Sequence, residues 1–275
     1  MNMQNRMEQV SIPGTRQWDI FSEESKRAYR IFIYIPAAVP PPGGFPVIYA
    51  LDGNAVFGTL VESLKVQSRR PDKTGVEPAV VVGIGYQTEE PFSPDRTYDF
   101  TLPRPEGAPP YAFKGRTFAE EGGAELFMRF LQQELKPEIE KTCPVNRNRQ
   151  SLIGHSLGGL FVLQTLLIEP DSFQCYIAGS PSIHWNEAFI FEEEQRLGDK
   201  LKQSGARVKL MVAAGELETA HKMIENAALF SKCVEERRHP GLQLAFKTFD
   251  NEGHVSVLAV LMSHAVRFAL QNNGV

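Results

Sequence analysis

The sequence predicts an α/β protein. It reads as a three-layer sandwich with helices on both faces of a mostly parallel sheet and an antiparallel strand pair at the N-terminal end. Three observations carry this reading. Residues 47–51 (VIYAL) and 79–84 (AVVVGI) are unbroken apolar runs, which suit strands covered on both faces of a parallel sheet. From residue 150 onward, candidate strands and helices alternate with short connections. Ahead of both, residues 28–35 (AYRIFIYI) alternate polar and apolar positions, as a half-buried strand does.

The elements follow in order. Residues 16–21 (RQWDIF) form a hairpin with 28–35 across the polar turn 22–26, and the Pro/Gly stretch 36–46 closes it. The two buried strands come next. Residues 86–116 are rich in Pro, Gly, Arg and aromatics. A connection this long inside a compact domain is generally functional, so it is expected to serve as a cap or a substrate-binding loop. Residues 117–142 are expected to be helical, with Leu126, Phe127, Phe130, Leu131 and Leu135 at helical spacing. Strands are then expected at 150–153, 174–178, 208–213 and 242–249. Helices are expected at 157–168, 186–203, 221–238 and 255–271. No repeat, low-complexity tail or linker interrupts the pattern, so residues 1–275 read as one domain.

Composition narrows the function. The chain has 275 residues, 42% hydrophobic and 23% charged, values that exclude a disordered chain, a collagen and a coiled coil. The net charge of −4, with no lysine- or arginine-rich block, argues against nucleic-acid binding. The three cysteines lack metal-ligand spacing and predict a reducing compartment. Residues 1–10 (MNMQNRMEQV) lack the apolar core of a secretion signal. No run approaches the roughly 20 apolar residues that cross a bilayer. The expected location is the cytoplasm, with no membrane partner and an oligomeric state left open.

The chemistry concentrates at Gly154-His155-Ser156-Leu157-Gly158. This G-x-S-x-G follows a predicted strand and opens a predicted helix, the context that a nucleophile elbow requires. A serine on so sharp a turn occupies strained backbone, and side chains two residues to either side would collide, hence the glycines. Its hydroxyl projects above the sheet, and the helix N-terminus lies beneath developing negative charge. Ser156 is the expected nucleophile and the Leu157 N–H one oxyanion donor. The second donor is expected after the third strand, at Gly53 or Asn54, where glycine permits close backbone approach.

Serine needs a base. His155 adjoins the nucleophile and is expected to point away from it, His264 lies within a helix, and His239 is read as a helix C-terminal cap. His221 opens a helix, and His184 sits in a loop. His254, in DNEGH after the last predicted strand, occupies the place that the order Ser…acid…His assigns to the base. The acid follows the strand 208–213, where Glu216 and Glu218 are both candidates. Glu218 is preferred because Glu216 lies nearer the strand end and can simply hydrate the turn. A Ser–His dyad without a carboxylate is the third arrangement. Asp250 and Glu252 lie uncomfortably close to His254 in sequence.

Further segments resemble the esterase branch of the α/β-hydrolases, especially its siderophore esterases, which hydrolyse trilactones such as enterobactin and bacillibactin. They are PVIYALDGNAVF (46–57), RTYDFT (96–101), GHSLGGLFVL (154–163), GSPSIHW (179–185) and FDNEGH (249–254). Leu102 departs from the family's usual continuation after RTYDFT. The resemblance implies an α/β-hydrolase fold and carries over Ser156 as nucleophile and His254 as base. It also implies Arg96, Trp185 and Tyr98 as substrate-binding residues, with Arg96 alternatively at the oxyanion.

A ferric tris-catecholate is anionic, so such a site would offer cations and aromatic faces. Candidates are Arg69, Arg70, Arg96, Arg104, Lys114 and Arg116, interleaved with Tyr86, Phe92, Tyr98, Phe100, Tyr111 and Phe113. Nearby acids (Asp72, Glu89, Glu90, Asp95, Asp99 and Glu106) can offset that charge. No metal or organic cofactor is expected; iron would belong to the substrate. The competing expectations are a general carboxylesterase or thioesterase, and a non-catalytic binding protein on the same fold.

Overall fold

Pairing of the apolar runs decides the sheet. In the computed structural model, which describes residues 10–104, 112–113, 116–117 and 120–271, β1 (Thr15–Phe21) and β2 (Ala28–Tyr34) are antiparallel, with Thr15 opposite Tyr34. β2 runs antiparallel to β4 (Val80–Gly85), and β4 lies parallel to β3 (Phe45–Leu51). Beyond β3 come β5 (Val145–His155), β6 (Cys175–Gly179), β7 (Val208–Gly215) and β8 (Leu242–Phe249), each parallel to its predecessor. The eight strands take the order β1-β2-β4-β3-β5-β6-β7-β8. All of β3 and β4 is buried, so neither alternates in sequence, whereas β2 alternates in both sequence and burial.

Helices cover both faces. On one, α1 (Gly53–Gln67) sets Val56, Phe57, Leu60, Val61 and Leu64 beside Leu261, Met262, Ala265 and Val266 of α7 (Val257–Leu270). On the other lie α3 (consecutive segments Ala124–Arg129, Phe130–Leu135 and Lys136–Thr142), α4 (Leu157–Ile168), α5 (Glu187–Ser204) and α6 (Met223–Arg237). A short helix, α2 (Arg96–Phe100), breaks the irregular stretch. No helix among the described residues is long and apolar enough to cross a membrane.

The differences from expectation are physical. The sequence reading places no helix between β3 and β4, yet parallel neighbours need a crossover, and α1 supplies it. α3 begins at Ala124, not at 117, and its middle segment is π-helical. That segment ends just ahead of Pro137, whose ring displaces the carbonyl four residues back in a regular helix. β5 starts at Val145, earlier than its apolar part suggests, because Val145 pairs with Phe45. α6 starts at Met223 because His221 and Lys222 adopt left-handed backbone, φ 54° in each.

Candidate active site

The parallel strands deliver their C-terminal ends to one side of the sheet, where ligands of open α/β sheets bind. Ser156 follows β5 with φ 60° and ψ −118°. A Cβ on Gly154 would come within 2.2 Å of the Gly158 carbonyl oxygen, and one on Gly159 within 2.5 Å of that of Gly179. Those glycines let the turn close. The Ser156 N–H donates to the Gly179 carbonyl at 2.9 Å, tying the elbow to β6.

Three side chains from three strand ends form a continuous relay. The Ser156 hydroxyl donates to His254 Nε2 at 3.0 Å, and His254 Nδ1–H donates to Glu218 Oε2 at 2.7 Å. The other carboxylate oxygen, Oε1, accepts from the Ser180 hydroxyl at 2.6 Å and the Gly215 N–H at 2.7 Å. Burial alone would push the Glu218 carboxyl up. The hydrogen bonds from His254, Ser180 and Gly215 outweigh it, so its pKa lies below the ordinary carboxylate value. Glu216 is turned away: its Oε2 accepts from the Asn251 N–H at 2.9 Å and braces the β8–α7 loop.

The relay opens into a cavity of about 640 Å³ lined by Ser156, Leu157 and His254 together with Phe92, Arg96, Trp185 and others. Leu157 is the first residue of α4, and an N–H in a helix's first turn has no intrahelical acceptor. Gly53 and Asn54 are not among the lining residues. Gly53 packs its Cα against β4, where a Cβ would sit 2.8 Å from the Gly83 carbonyl carbon. The Asn54 side chain straps the loop after β4, accepting from the Tyr86 N–H at 2.8 Å and donating to the Tyr86 and Thr88 carbonyls at 3.1 and 2.8 Å. The described cavity wall thus includes Leu157 but neither Gly53 nor Asn54.

Arg96 lines the cavity, but Asp52 engages its guanidinium. Nε and Nη2 donate to the two Asp52 carboxylate oxygens, each at 2.7 Å, and Nη2 also donates to the His155 carbonyl at 3.2 Å. Asp52 is buried in left-handed backbone, φ 55°. The pair thus ties the end of β3 to the elbow, and a bidentate fork of this kind adds geometric specificity. Tyr98 does not line the cavity. Two residues along a helix turn the chain by about 200°, so Arg96 and Tyr98 cannot both face it. The Tyr98 ring instead packs on Gly123, under the Arg27 guanidinium at 4.2 Å.

Trp185 lines the cavity, with the Arg104 guanidinium 5.9 Å from its ring centroid. Arg104 is paired with Glu121. Arg69 and Arg70 follow the far end of α1, and Arg70 pairs with Asp72. Tyr111 and Lys114 lie outside the described residues, as do the side chains of Phe113 and Arg116. Among the described residues Arg96 is the only Lys or Arg lining the cavity, so of the expected basic cluster the described wall holds Arg96 alone. Nor do the described residues include a group of three or more His, Cys, Asp or Glu able to hold a metal ion.

Sequence reasoning gave no role to Ser180 or Ser182, and weighed His184 and His221 only as bases. Ser182 Oγ lies 3.3 Å from Ser156 Oγ, and its N–H donates to the Ser156 carbonyl at 3.1 Å. His184 and His221 line the cavity with their rings stacked. The first three lie within the motif GSPSIHW (179–185), whereas His221 belongs to no motif. His239, expected as a helix cap, is a buried partner of Glu194 at 2.8 Å.

His155 is buried, with its ring centroid 4.6 Å from that of His254. Burial, and then the neighbouring His254, push its pKa down from 6.5 to about 3. The unfolded chain therefore takes up a proton below pH 6.5 that the folded chain refuses. The resulting stability is complete above pH 6.5 and is lost as pH falls towards about 3. At pH 4.5 the cost is on the order of 3 kcal/mol. His155→Phe removes this term. Its loss of stability between pH 7.5 and 4.5, measured by urea unfolding, is expected to be smaller than that of the wild type by about this amount. Equal losses in the two proteins would exclude His155 as the source.

With this geometry in view, comparison with known proteins decides the family. The family described as "Putative esterase" matches residues 22–255. The chain belongs to that family. It is 50% identical over 266 residues to the "Ferri-bacillibactin esterase BesA" of Bacillus subtilis, covering 96% of this chain and 92% of the relative. It is 35% identical to the "Siderophore enterobactin esterase" of Emericella nidulans, covering 80% of each chain. Among solved structures, the BES protein from Bacillus cereus superposes with a TM-score of 0.90 at 38% identity, covering 96% of this chain and 98% of that one. Membership assigns these residues an α/β-hydrolase fold.

Proposed function

We propose that this chain is a serine esterase that opens the ester bonds of a catecholate siderophore trilactone, with iron released in the cytoplasm. The observation that carries the reaction is the unbroken Ser156–His254–Glu218 relay at the cavity. The substrate class is supported by relatives named as siderophore esterases, one of them 50% identical. His254 Nε2 takes the Ser156 proton as Oγ attacks the lactone carbonyl, and Glu218 stabilises the imidazolium. The Leu157 N–H receives the developing oxyanion. The alkoxide leaves with the proton held by His254. Water, activated by the same imidazole, then frees the acid from Ser156. Arg96 holds the elbow against Asp52, Trp185 and Phe92 offer flat walls, and any iron arrives with the substrate.

A second reading follows from the described residues of the cavity wall, among which Arg96 is the only Lys or Arg. A mostly neutral cleft also suits a general carboxylesterase or thioesterase acting on feruloyl, acetyl or S-formyl groups. The two separate when hydrolysis of bacillibactin and enterobactin, with and without ferric iron, is followed by chromatography beside p-nitrophenyl acetate and methyl ferulate. The trilactones are expected to be opened with a kcat/KM at least 100-fold above that of the simple esters. Turnover of the simple esters alone would remove the siderophore reading and leave the serine mechanism standing.

A further inference from the structure

A second cavity opens at the opposite end of the sheet from Ser156. It has a volume of about 590 Å³ and lies near the starts of β5, β6, β7 and β8, where Gln150, Cys175, Val208 and Leu242 line it. The end of α7 adds Ala269 and Gln271. Cavities of this size hold small molecules.

The charge on its wall has one sign. Arg149, Arg207 and Lys209 line it, and among the described residues no Asp or Glu does. In a chain of net charge −4, three cations gathered without a carboxylate create a local positive potential. Glu77, outside the wall, pairs with Arg149, which leaves two charges unmatched. Arg207 is exposed and makes no ion pair among the described residues.

Lys209 shows what the wall lacks. Its ammonium donates to the Phe268 and Gln271 carbonyls at 2.8 and 3.3 Å, where α7 ends, and Arg149 Nη2 donates to the Leu270 carbonyl at 3.4 Å. Such carbonyls carry only partial charge. Burial holds Lys209 below the ordinary lysine value; the Cys175 thiol opposes this and Arg149 adds to it. No carboxylate is among these neighbours. A half-buried ammonium facing a second cation is costly until an anion joins them. Capping of α7 accounts for Lys209 and Arg149, but Arg207 caps nothing.

We infer that this cavity binds a small multivalent oxyanion without an aromatic ring, a polyphosphate or a polycarboxylate, between Arg149, Arg207 and Lys209. Guanidinium forks match the oxygens of phosphate and carboxylate alike, and Asn148 and Gln243 offer further amide donors. None of the described lining residues is aromatic, so nothing there would stack on a nucleobase. The site is separate from the ester chemistry, since no residue lines both this cavity and that of Ser156.

The test is calorimetric titration of the whole chain with pyrophosphate and, separately, with citrate, at low ionic strength. A single site with a Kd below about 1 mM is expected for at least one of them. Pyrophosphate alone would assign a phosphate ligand, and citrate alone a carboxylate. Arg207→Gln removes a side chain that makes no ion pair, so its thermal midpoint should match that of the wild type. It is expected to weaken binding about tenfold, as is Lys209→Gln. Arg16→Gln removes the same charge from β1, at the far edge of the sheet, and should change the affinity less than about twofold. Ligand should also raise the thermal midpoint of the wild type more than that of Arg207→Gln. Absence of binding of either anion at about 10 mM, or unchanged affinity in folded Arg207→Gln, would overturn the inference. So would an equal loss in Arg16→Gln, which would reduce the effect to overall charge.

Discussion

Ser156→Ala is expected to lower kcat for ester hydrolysis on the order of 10⁵- to 10⁶-fold, the scale on which removal of a nucleophile disables a serine–histidine relay. The attacking atom is Oγ, which lies 3.0 Å from His254 Nε2 at the mouth of α4. Alanine has no atom to form the acyl–enzyme bond. The neighbouring Ser182 hydroxyl, 3.3 Å from that oxygen, is the one group close enough to complicate the result. It sits beyond the elbow rather than on it, so attack from Ser182 would lack the helix N-terminus beneath the oxyanion. Ser156→Ala and Ser156→Ala/Ser182→Ala should therefore be equally inactive in a single-turnover assay with p-nitrophenyl acetate. Activity above about 1% of wild type in the single variant, lost in the double, would move the nucleophile to Ser182. Activity retained in both would remove the covalent serine mechanism and reopen a different hydrolytic route.

Much of this site was legible because its strongest signals are local. Gly154, Ser156 and Gly158 encode a turn whose steric demands can be worked out from five residues. The apolar runs of β3 and β4 likewise declare their burial directly. His254 needed only chain order. Glu218 and Glu216 could be ranked but not separated, since both lie on the same turn after β7. The β8–α7 loop decides between them, by taking Glu216 to Asn251 and leaving Glu218 beneath His254. The roles of Arg96 and Tyr98 were hidden more deeply. Their motif shows the residue types, but the rotation of α2 decides which faces the cavity, and the partner of Arg96 lies 44 residues away. His221 reads in sequence only as a residue that opens a helix: its place depends on left-handed backbone and on a ring delivered by another strand end. Pairwise contacts over such separations are made by the fold, and no local pattern announces them.

Glu218→Gln is expected to lower kcat about 10⁴-fold, because the fixed surroundings of the carboxylate force the amide into the wrong orientation. Oε1 accepts a hydrogen bond from the Gly215 N–H at 2.7 Å, and a backbone N–H cannot become an acceptor. The glutamine oxygen must therefore face Gly215, where it keeps the Ser180 hydroxyl as a donor as well. Its NH₂ group is left facing His254 Nδ1, which currently donates to Glu218 Oε2 at 2.7 Å. To avoid two donors meeting, the imidazole must carry its proton on Nε2. That nitrogen can then no longer accept the Ser156 proton. The shape of the site is kept and its base is disarmed, so KM for p-nitrophenyl acetate should change far less than kcat. Glu216→Gln removes a carboxylate from the same turn without touching the relay, and its kcat is expected to remain within about threefold of wild type. A loss below tenfold in Glu218→Gln would favour a Ser156–His254 dyad in which Glu218 is only a brace. A larger loss in Glu216→Gln than in Glu218→Gln would transfer the acid to Glu216 and contradict the geometry described above.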